Sequence, residues 1–412
     1  MKLNQKSFAA LAVLALPACM MNQSGNIEAT KTGDISRPAA KGSPVAELRA
    51  ACGAEGFMTG PGVASVARQP YLQQVTPTSA MIGWVAVEGG EGRVEITTPD
   101  GAQVASKAAD VEVTAVRVAG EQQVWAKVDG LAPDTIYCYA LAGADGALSE
   151  RIGFRTAPAA DSERTIRVLA FGDSGGGGSD QQMLLDQMFE YPYDLMIHTG
   201  DLAYDDGTIG QFESTVFGVY ADLFRHLPFF PASGNHDYRT LQGAPFRDVF
   251  ALPGDNGERW YSYDWGRIHF VALDTEADYE TQAAWLDEDL ARTTLPWKVV
   301  YMHRPMYSSG QHGSDTSLRR ALEPVIESHG VQLVLAGHDH NYERMQPQGG
   351  VDHVVTGGGG VGTRPVGSSS FTAFSEDVIH YVLLEVGTEE MIMHAIDGSG
   401  QEFDSTVIPR VR

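Results

Sequence analysis

The chain has 412 residues, 43% of them hydrophobic, and a formal net charge of −24. That length suits two or three domains with full cores and excludes wholesale disorder. Phosphate backbones demand clustered Lys and Arg, so the acidic balance excludes a nucleic-acid-binding surface and reads as a soluble, self-repelling exterior.

The first element is a candidate signal, residues 1–19: Lys2 and Lys6, an apolar stretch from Phe8 to Leu16, then Leu16-Pro17-Ala18-Cys19. It is too short to span a bilayer and predicts export. Three readings are open: lipoprotein-type cleavage with a lipid anchor on Cys19, the one membrane link expected; ordinary cleavage near Ala18; or a buried helix in an intracellular protein. With export, the destination is periplasmic, an outer-membrane lipoprotein, or secreted. With Cys19 set aside, Cys52 and Cys138 are an even pair in an oxidising compartment, and a disulfide is expected. Two unrelated buried thiols are the alternative. Residues 20–63, rich in Gly, Ser, Lys and Ala, read as a tether carrying a short helix at Glu47–Ala51.

Residues 64–158 change to short alternating strands, such as Ala80–Val85, Gly92–Thr98, Gln123–Val128 and Thr135–Leu141, with turn clusters between them. About seven strands in this span predict an all-β sandwich of immunoglobulin or fibronectin type, with Trp84 and Tyr137 as core aromatics. After the polar linker Ala157–Arg164, residues 164–412 alternate strands and helices. Helices are expected at Asp180–Phe189, Tyr279–Arg292 and Ser317–Ser328, which makes this part an α/β layer structure. Strand-like runs at His353–Thr356, Ile379–Val386 and Glu390–Ile396 are expected to complete a second sheet. Residues 206–222, 239–258 and 306–316 read as loops that set access to a site.

Five motifs place metal ligands directly after apolar runs: Asp173-Ser174-Gly175, Gly200-Asp201-Leu202-Ala203-Tyr204, Gly234-Asn235-His236-Asp237, Val300-Tyr301-Met302-His303 and Gly337-His338-Asp339-His340. The runs before them, among them Ile166–Phe171, Leu195–Ile197 and Leu333–Ala336, read as buried strands, so the ligands gather at one sheet edge. Carboxylate, carboxamide, phenol and imidazole together can hold two cations, with the two-oxygen carboxylate of Asp201 as the bridge. Taken alone, Asp201 could be a turn residue and Tyr204 a packing residue. His338 and His340, on an extended segment, would point the same way.

These motifs resemble the metallophosphoesterase set. Gly-Asp-x-x-Tyr together with Val-x-x-His makes the chain specifically similar to purple acid phosphatases. Further stretches carry the likeness: Arg259-Trp260-Tyr261-Ser262-Tyr263, His303-Arg304-Pro305-Met306-Tyr307, and His340-Asn341-Tyr342-Glu343-Arg344. The resemblance implies a metallophosphoesterase-type sandwich of two mixed β-sheets flanked by helices, preceded by a fibronectin type III-like domain. It implies an Fe(III) site of Asp173, Asp201, Tyr204 and His340, and a divalent site (Fe, Zn or Mn) of Asp201, Asn235, His303 and His338. It also implies His236 and His312 as outer histidines facing the substrate, although Gly313 stands where a second His often follows in plant-type members. A solvated loop histidine is the alternative for His312. Asp237 is a candidate catalytic partner that orients His236, or it caps the loop. The expected activity is exported, acid-optimum hydrolysis of small phosphate monoesters by attack of a metal-bound hydroxide. The alternatives are a phosphodiesterase or nucleotide-specific phosphohydrolase on the same site, or an inactive exported binding protein. Nothing in the sequence fixes the oligomeric state.

Overall fold

The computed structural model describes residues 37–53 and 66–410, apart from 88, 117, 145 and 255. The expected signal, Cys19 and most of the tether lie outside the described residues.

The alternating segment forms two antiparallel sheets. One orders Val66–Gln73, Ser79–Val87, Glu121–Asp129 and Asp110–Val111; the other orders Gln103–Ala108, Arg93–Thr97, Ile136–Gly143 and Gly146–Ala147, with Ile152–Arg155 also on Ile136–Gly143. Trp84 is fully buried and Tyr137 nearly so, as the alternation predicts. The short helix is present at Ala46–Cys52, and Cys52 is disulfide-bonded to Cys138. Gly153 lets that helix close on the strand, because a Cβ there would stand 2.3 Å from the Leu48 carbonyl oxygen. Buried polar contacts tie these sheets to the rest of the chain. The Tyr71 phenol donates to Val249 O at 2.6 Å, Tyr139 to Arg225 O at 2.8 Å, and Arg68 pairs with Glu213 beneath the Phe217 ring.

The α/β part is built on two mixed sheets. The first orders Phe229–Pro231, Leu195–His198, Ile166–Phe171, His380–Val386, Glu390–Asp397 and Glu402–Pro409; the second orders Tyr261–Trp265, Ile268–Ala272, Trp297–Met302, Leu333–Ala336, Asp352–Thr356, Tyr342–Met345 and Thr372–Glu376. Strand periodicity divides the second sheet's side chains between two cores. Phe270, Val299, Tyr301, Leu333 and Leu335 join the large core shared with the first sheet. Val271, Val300, Val334 and Val355 face outward onto Leu286 and Leu290 of helix Tyr279–Arg292 and Leu318, Leu322 and Ile326 of helix Thr316–Ser328. Each of these helices starts on an aspartate, Asp278 or Asp315, that accepts from backbone N–H groups in the first turn.

Two expectations are corrected. The C-terminal strands do not build one sheet: Asp352–Thr356 runs parallel to Leu333–Ala336, whereas His380–Val386 pairs antiparallel with Ile166–Phe171 and begins the other sheet's far half. Residues 209–224 are helical rather than loop, with a π-helical turn at Phe212–Phe217. Phe212, Val216, Tyr220, Leu223 and Phe224 supply an aromatic-rich buried stripe, and Thr208 with Gln211 forms a capping box at its start.

Candidate metal centre

Every ligand motif follows the carboxyl end of a strand. Asp173, Asp201 and Asn235 come after three parallel neighbours of the first sheet, Ile166–Phe171, Leu195–His198 and Phe229–Pro231. His303 and His338 come after two parallel neighbours of the second, Trp297–Met302 and Leu333–Ala336. Carboxyl ends of parallel strands in both sheets therefore open onto one rim. The glycines of the motifs make the convergence possible: a Cβ on Gly234 would lie 2.2 Å from Asp201 Oδ1, and one on Gly337 would lie 2.4 Å from Asp173 Oδ2. Asp173, Asp201 and His338 take φ of 59°, 57° and 71°, a costly conformation held by the surrounding loops.

The seven side chains fall into two groups that share one atom. The Tyr204 phenol oxygen is 3.0 Å from Asp173 Oδ1, 3.1 Å from Asp201 Oδ2 and 3.2 Å from His340 Nε2. On the other side, His303 Nε2 is 3.2 Å from Asp201 Oδ2, 3.2 Å from Asn235 Oδ1 and 3.1 Å from His338 Nδ1. Asp201, His303 and His338 offer donor atoms all within 4.8 Å of one another. His338 does not sit on an extended segment as expected; it is in a bend, and its left-handed backbone sends it and His340 to different groups.

Neighbouring groups fix which atoms are free. His303 Nδ1–H donates to Thr199 O at 3.0 Å, which turns Nε2 inward. His338 N–H donates to Asp173 Oδ2, and His236 N–H to Asp201 Oδ1. Burial by itself would raise the Asp201 pKa, but His303 and His236 hold it well below the ordinary range. Burial would lower that of His303, yet Asp201 and Asp173 lift it to about 9. Burial, with His303 adding, drops His338 to about 2. The Tyr204 phenol is pushed far up by burial and by Asp173 and Asp201. The set gathers carboxylate, phenol, carboxamide and imidazole donors at close range. It fits a pair of hard or borderline cations.

Two further histidines cap the groups. The His236 ring lies over Tyr204, centroids 4.2 Å apart, and donates from Nδ1 to Asp205 O at 2.6 Å. The exposed His312 ring stacks on His338, centroids 4.1 Å apart. Asp237 does not orient His236. Its carboxylate accepts from the backbone N–H groups of Leu202, Ala203 and Gly234, so it is a positioning residue that clamps the Asp201 loop. The expected catalytic role of Asp237 is thereby corrected to the loop-capping alternative. A carboxylate with three backbone donors already engaged has little left for an imidazole.

The sequence reading missed three residues at the rim. Asp339, between the two ligand histidines, accepts from Ser308 Oγ, His312 N and Gly313 N and so holds the 308–313 loop against the site. Arg239 reaches His236 Nε2 at 3.3 Å, and Arg364 donates to His312 Nε2 at 2.6 Å. Asp339 had a signal in the His-Asp-His motif itself. The arginines had none.

Residues 166–342 match the family model of calcineurin-like phosphoesterases. Among curated relatives, the chain is 31% identical to purple acid phosphatase 23 of Arabidopsis thaliana over 258 residues, covering 53% of this chain and 56% of that one. It is 28% identical over 292 residues to a protein named "Probable inactive purple acid phosphatase 1" from the same plant, covering 56% and 48%. The chain thus spans about half the length of these relatives. Its fold is similar to that of purple acid phosphatase PPD1 from yellow lupin (Lupinus luteus), with a TM-score of 0.75, 24% identity, and coverage of 83% of this chain and 74% of that one. The phosphoesterase match ends at residue 342, before Arg364.

Proposed function

We propose that the protein is a dinuclear acid phosphatase hydrolysing phosphate monoesters. Asp173, Asp201, Tyr204 and His340 would hold Fe(III); Asp201, Asn235, His303 and His338 would hold a divalent Fe, Zn or Mn. The observation that carries this reading is Asp201 Oδ2, which is 3.1 Å from the phenol of one group and 3.2 Å from His303 of the other. When bound, the cations supply a water acidic enough to act near or below neutrality and positive charge for the phosphoryl oxygens. A phenolate is a hard anionic donor suited to a trivalent ion, whereas Asn235 and two imidazoles suit a divalent one.

The chain's own residues complete the chemistry. His236 has Nδ1–H committed to Asp205 O, so Nε2, 3.9 Å from Asp201 Oδ2, is the ring nitrogen left to face a leaving oxygen. His312, neutral at Nε2 where it accepts from Arg364, walls the other side. Intact donors in both groups favour an active enzyme over a degenerate one.

The Cys52–Cys138 disulfide supports export to an oxidising compartment, and the two antiparallel sheets of residues 66–155 support a fibronectin type III-like domain. The test is turnover of p-nitrophenyl phosphate against its bis-ester by protein whose iron and zinc are quantified. Faster hydrolysis of the monoester by iron-containing protein is expected. A strong preference for the diester moves the reading to a phosphodiesterase, and a metal-free, inactive protein removes it.

A further inference from the structure

The phosphoesterase match stops at residue 342, yet the site continues beyond it. The four glycines Gly357–Gly360 thread between the Asp173 loop and the Asp339 loop, where side chains do not fit. A Cβ on Gly359 would stand 2.1 Å from Gly172 O, and one on Gly357 2.3 Å from Asp339 O. Backbone hydrogen bonds strap this segment down, from Gly359 N to Gly172 O at 2.9 Å, Val361 N to Asp173 O at 3.2 Å and Arg364 N to His340 O at 2.8 Å. The strap ends by delivering Arg364 to the rim, with Nη1 2.6 Å from His312 Nε2.

Arg364 differs from the other arginines nearby. Arg304 is ion-paired with Glu276 at 2.7 Å, and Arg259 with Asp274 at 2.8 Å. Among the described residues no carboxylate pairs with Arg364, whose guanidinium contacts the neutral imidazole alone. Arg239 holds the mirror position. It donates to Asp205 O at 2.9 Å, reaches His236 Nε2 at 3.3 Å, and has only a loose contact with the exposed Asp206 at 3.6 Å. Each donor group is thus capped by a histidine, and each capping histidine is backed by an arginine. On a chain of net charge −24, two weakly compensated cations at one rim form a local attraction for anions.

We propose that Arg239 and Arg364 recognise a second anionic group on the substrate, so that the site favours phosphate esters or anhydrides whose leaving portion carries its own negative charge. This rests on the phosphatase reading. The protein would gain selectivity from charge-assisted hydrogen bonds to the leaving portion, in addition to whatever holds the scissile phosphate.

The test compares kcat/KM on inorganic pyrophosphate and on phenyl phosphate for the metal-loaded wild type, R364A, R364K, R239A and R239K. Charge-assisted hydrogen bonds are worth about tenfold or more, so the pyrophosphate-to-phenyl-phosphate ratio should fall about tenfold in each alanine variant, mainly through KM. The lysine variants should recover part of it. A ratio unchanged from wild type in both alanine variants, with folding verified by thermal denaturation, overturns the inference while leaving the phosphatase reading intact. So does a fall in the ratio confined to kcat. A wild-type protein inactive on both substrates overturns the phosphatase reading and this inference with it.

Discussion

Asp201 and His303 sit with Oδ2 and Nε2 3.2 Å apart although they stand 102 positions apart in sequence, and that same oxygen also accepts from the Tyr204 phenol. One carboxylate oxygen therefore belongs to two donor groups. The predictions below follow from that shared position and from the loops that enforce it.

Replacing Asp201 with Asn removes the charge both groups use while keeping the shape of the side chain. Outer partners of metal ligands typically cost about 10–100-fold in affinity or activity, so the shared ligand should cost more than about 100-fold. The D201N protein is expected to lose both bound metals in elemental analysis and turnover in parallel. Full activity in D201N would leave the scheme without its bridge.

Tyr204→Phe removes the only phenol in the first group, and the ring can still pack beneath His236. Iron-loaded wild type is expected to show a visible phenolate-to-Fe(III) band, and iron-loaded Y204F to lack it. A colourless wild type containing full iron would reject the Tyr204 assignment.

The Cys52–Cys138 bridge closes a span of 86 residues and anchors helix Ala46–Cys52 on the β-sheets. Loop-closure entropy for a span of this size is worth about 4.6 kcal/mol in the unfolded-chain model. The C52S/C138S double variant should lose roughly 2–5 kcal/mol in urea unfolding. Equal thiol titres with and without reductant would contradict the bridge.

His269 lies between Asp264 at 2.7 Å and Asp289 at 2.8 Å, away from the metal centre. Burial alone would lower its pKa, but the two carboxylates raise it to about 9. A histidine raised on folding contributes its full stabilisation below its unfolded value of 6.5 and loses it as pH rises through about 9. The contribution is on the order of 3 kcal/mol at most, since each pKa unit is worth about 1.4 kcal/mol. Urea unfolding should therefore show wild type losing stability between about pH 6.5 and 9, and H269Q losing less over that window. Parallel profiles for the two proteins would place the pH dependence elsewhere.

The convergence of the candidate ligands was legible in the sequence because each stands just past an apolar strand, and strand ends in parallel sheets share one rim. Helix Tyr279–Arg292 was legible to the residue, since Asp278 caps it and Ala283, Leu286 and Leu290 repeat at helical spacing. What stayed hidden depends on contacts between distant segments. Nothing local tells His380–Val386 to pair with Ile166–Phe171 and not with Asp352–Thr356. Asp237 could cap a loop or orient His236, and only the placement of Leu202, Ala203 and Gly234 around its carboxylate decides. Arg364 is an unremarked arginine in a glycine-rich stretch until the backbone strap brings it to His312.

Anomalous X-ray diffraction from crystals of the iron- and zinc-loaded protein, recorded across both absorption edges, tests the central claim most directly. The account predicts two cations about 3.5–4 Å apart, with the Asp201 carboxylate between them, iron on the Tyr204 side and the divalent ion on the His303 side. A single ion, or two ions with Asp201 bound to neither, would contradict it.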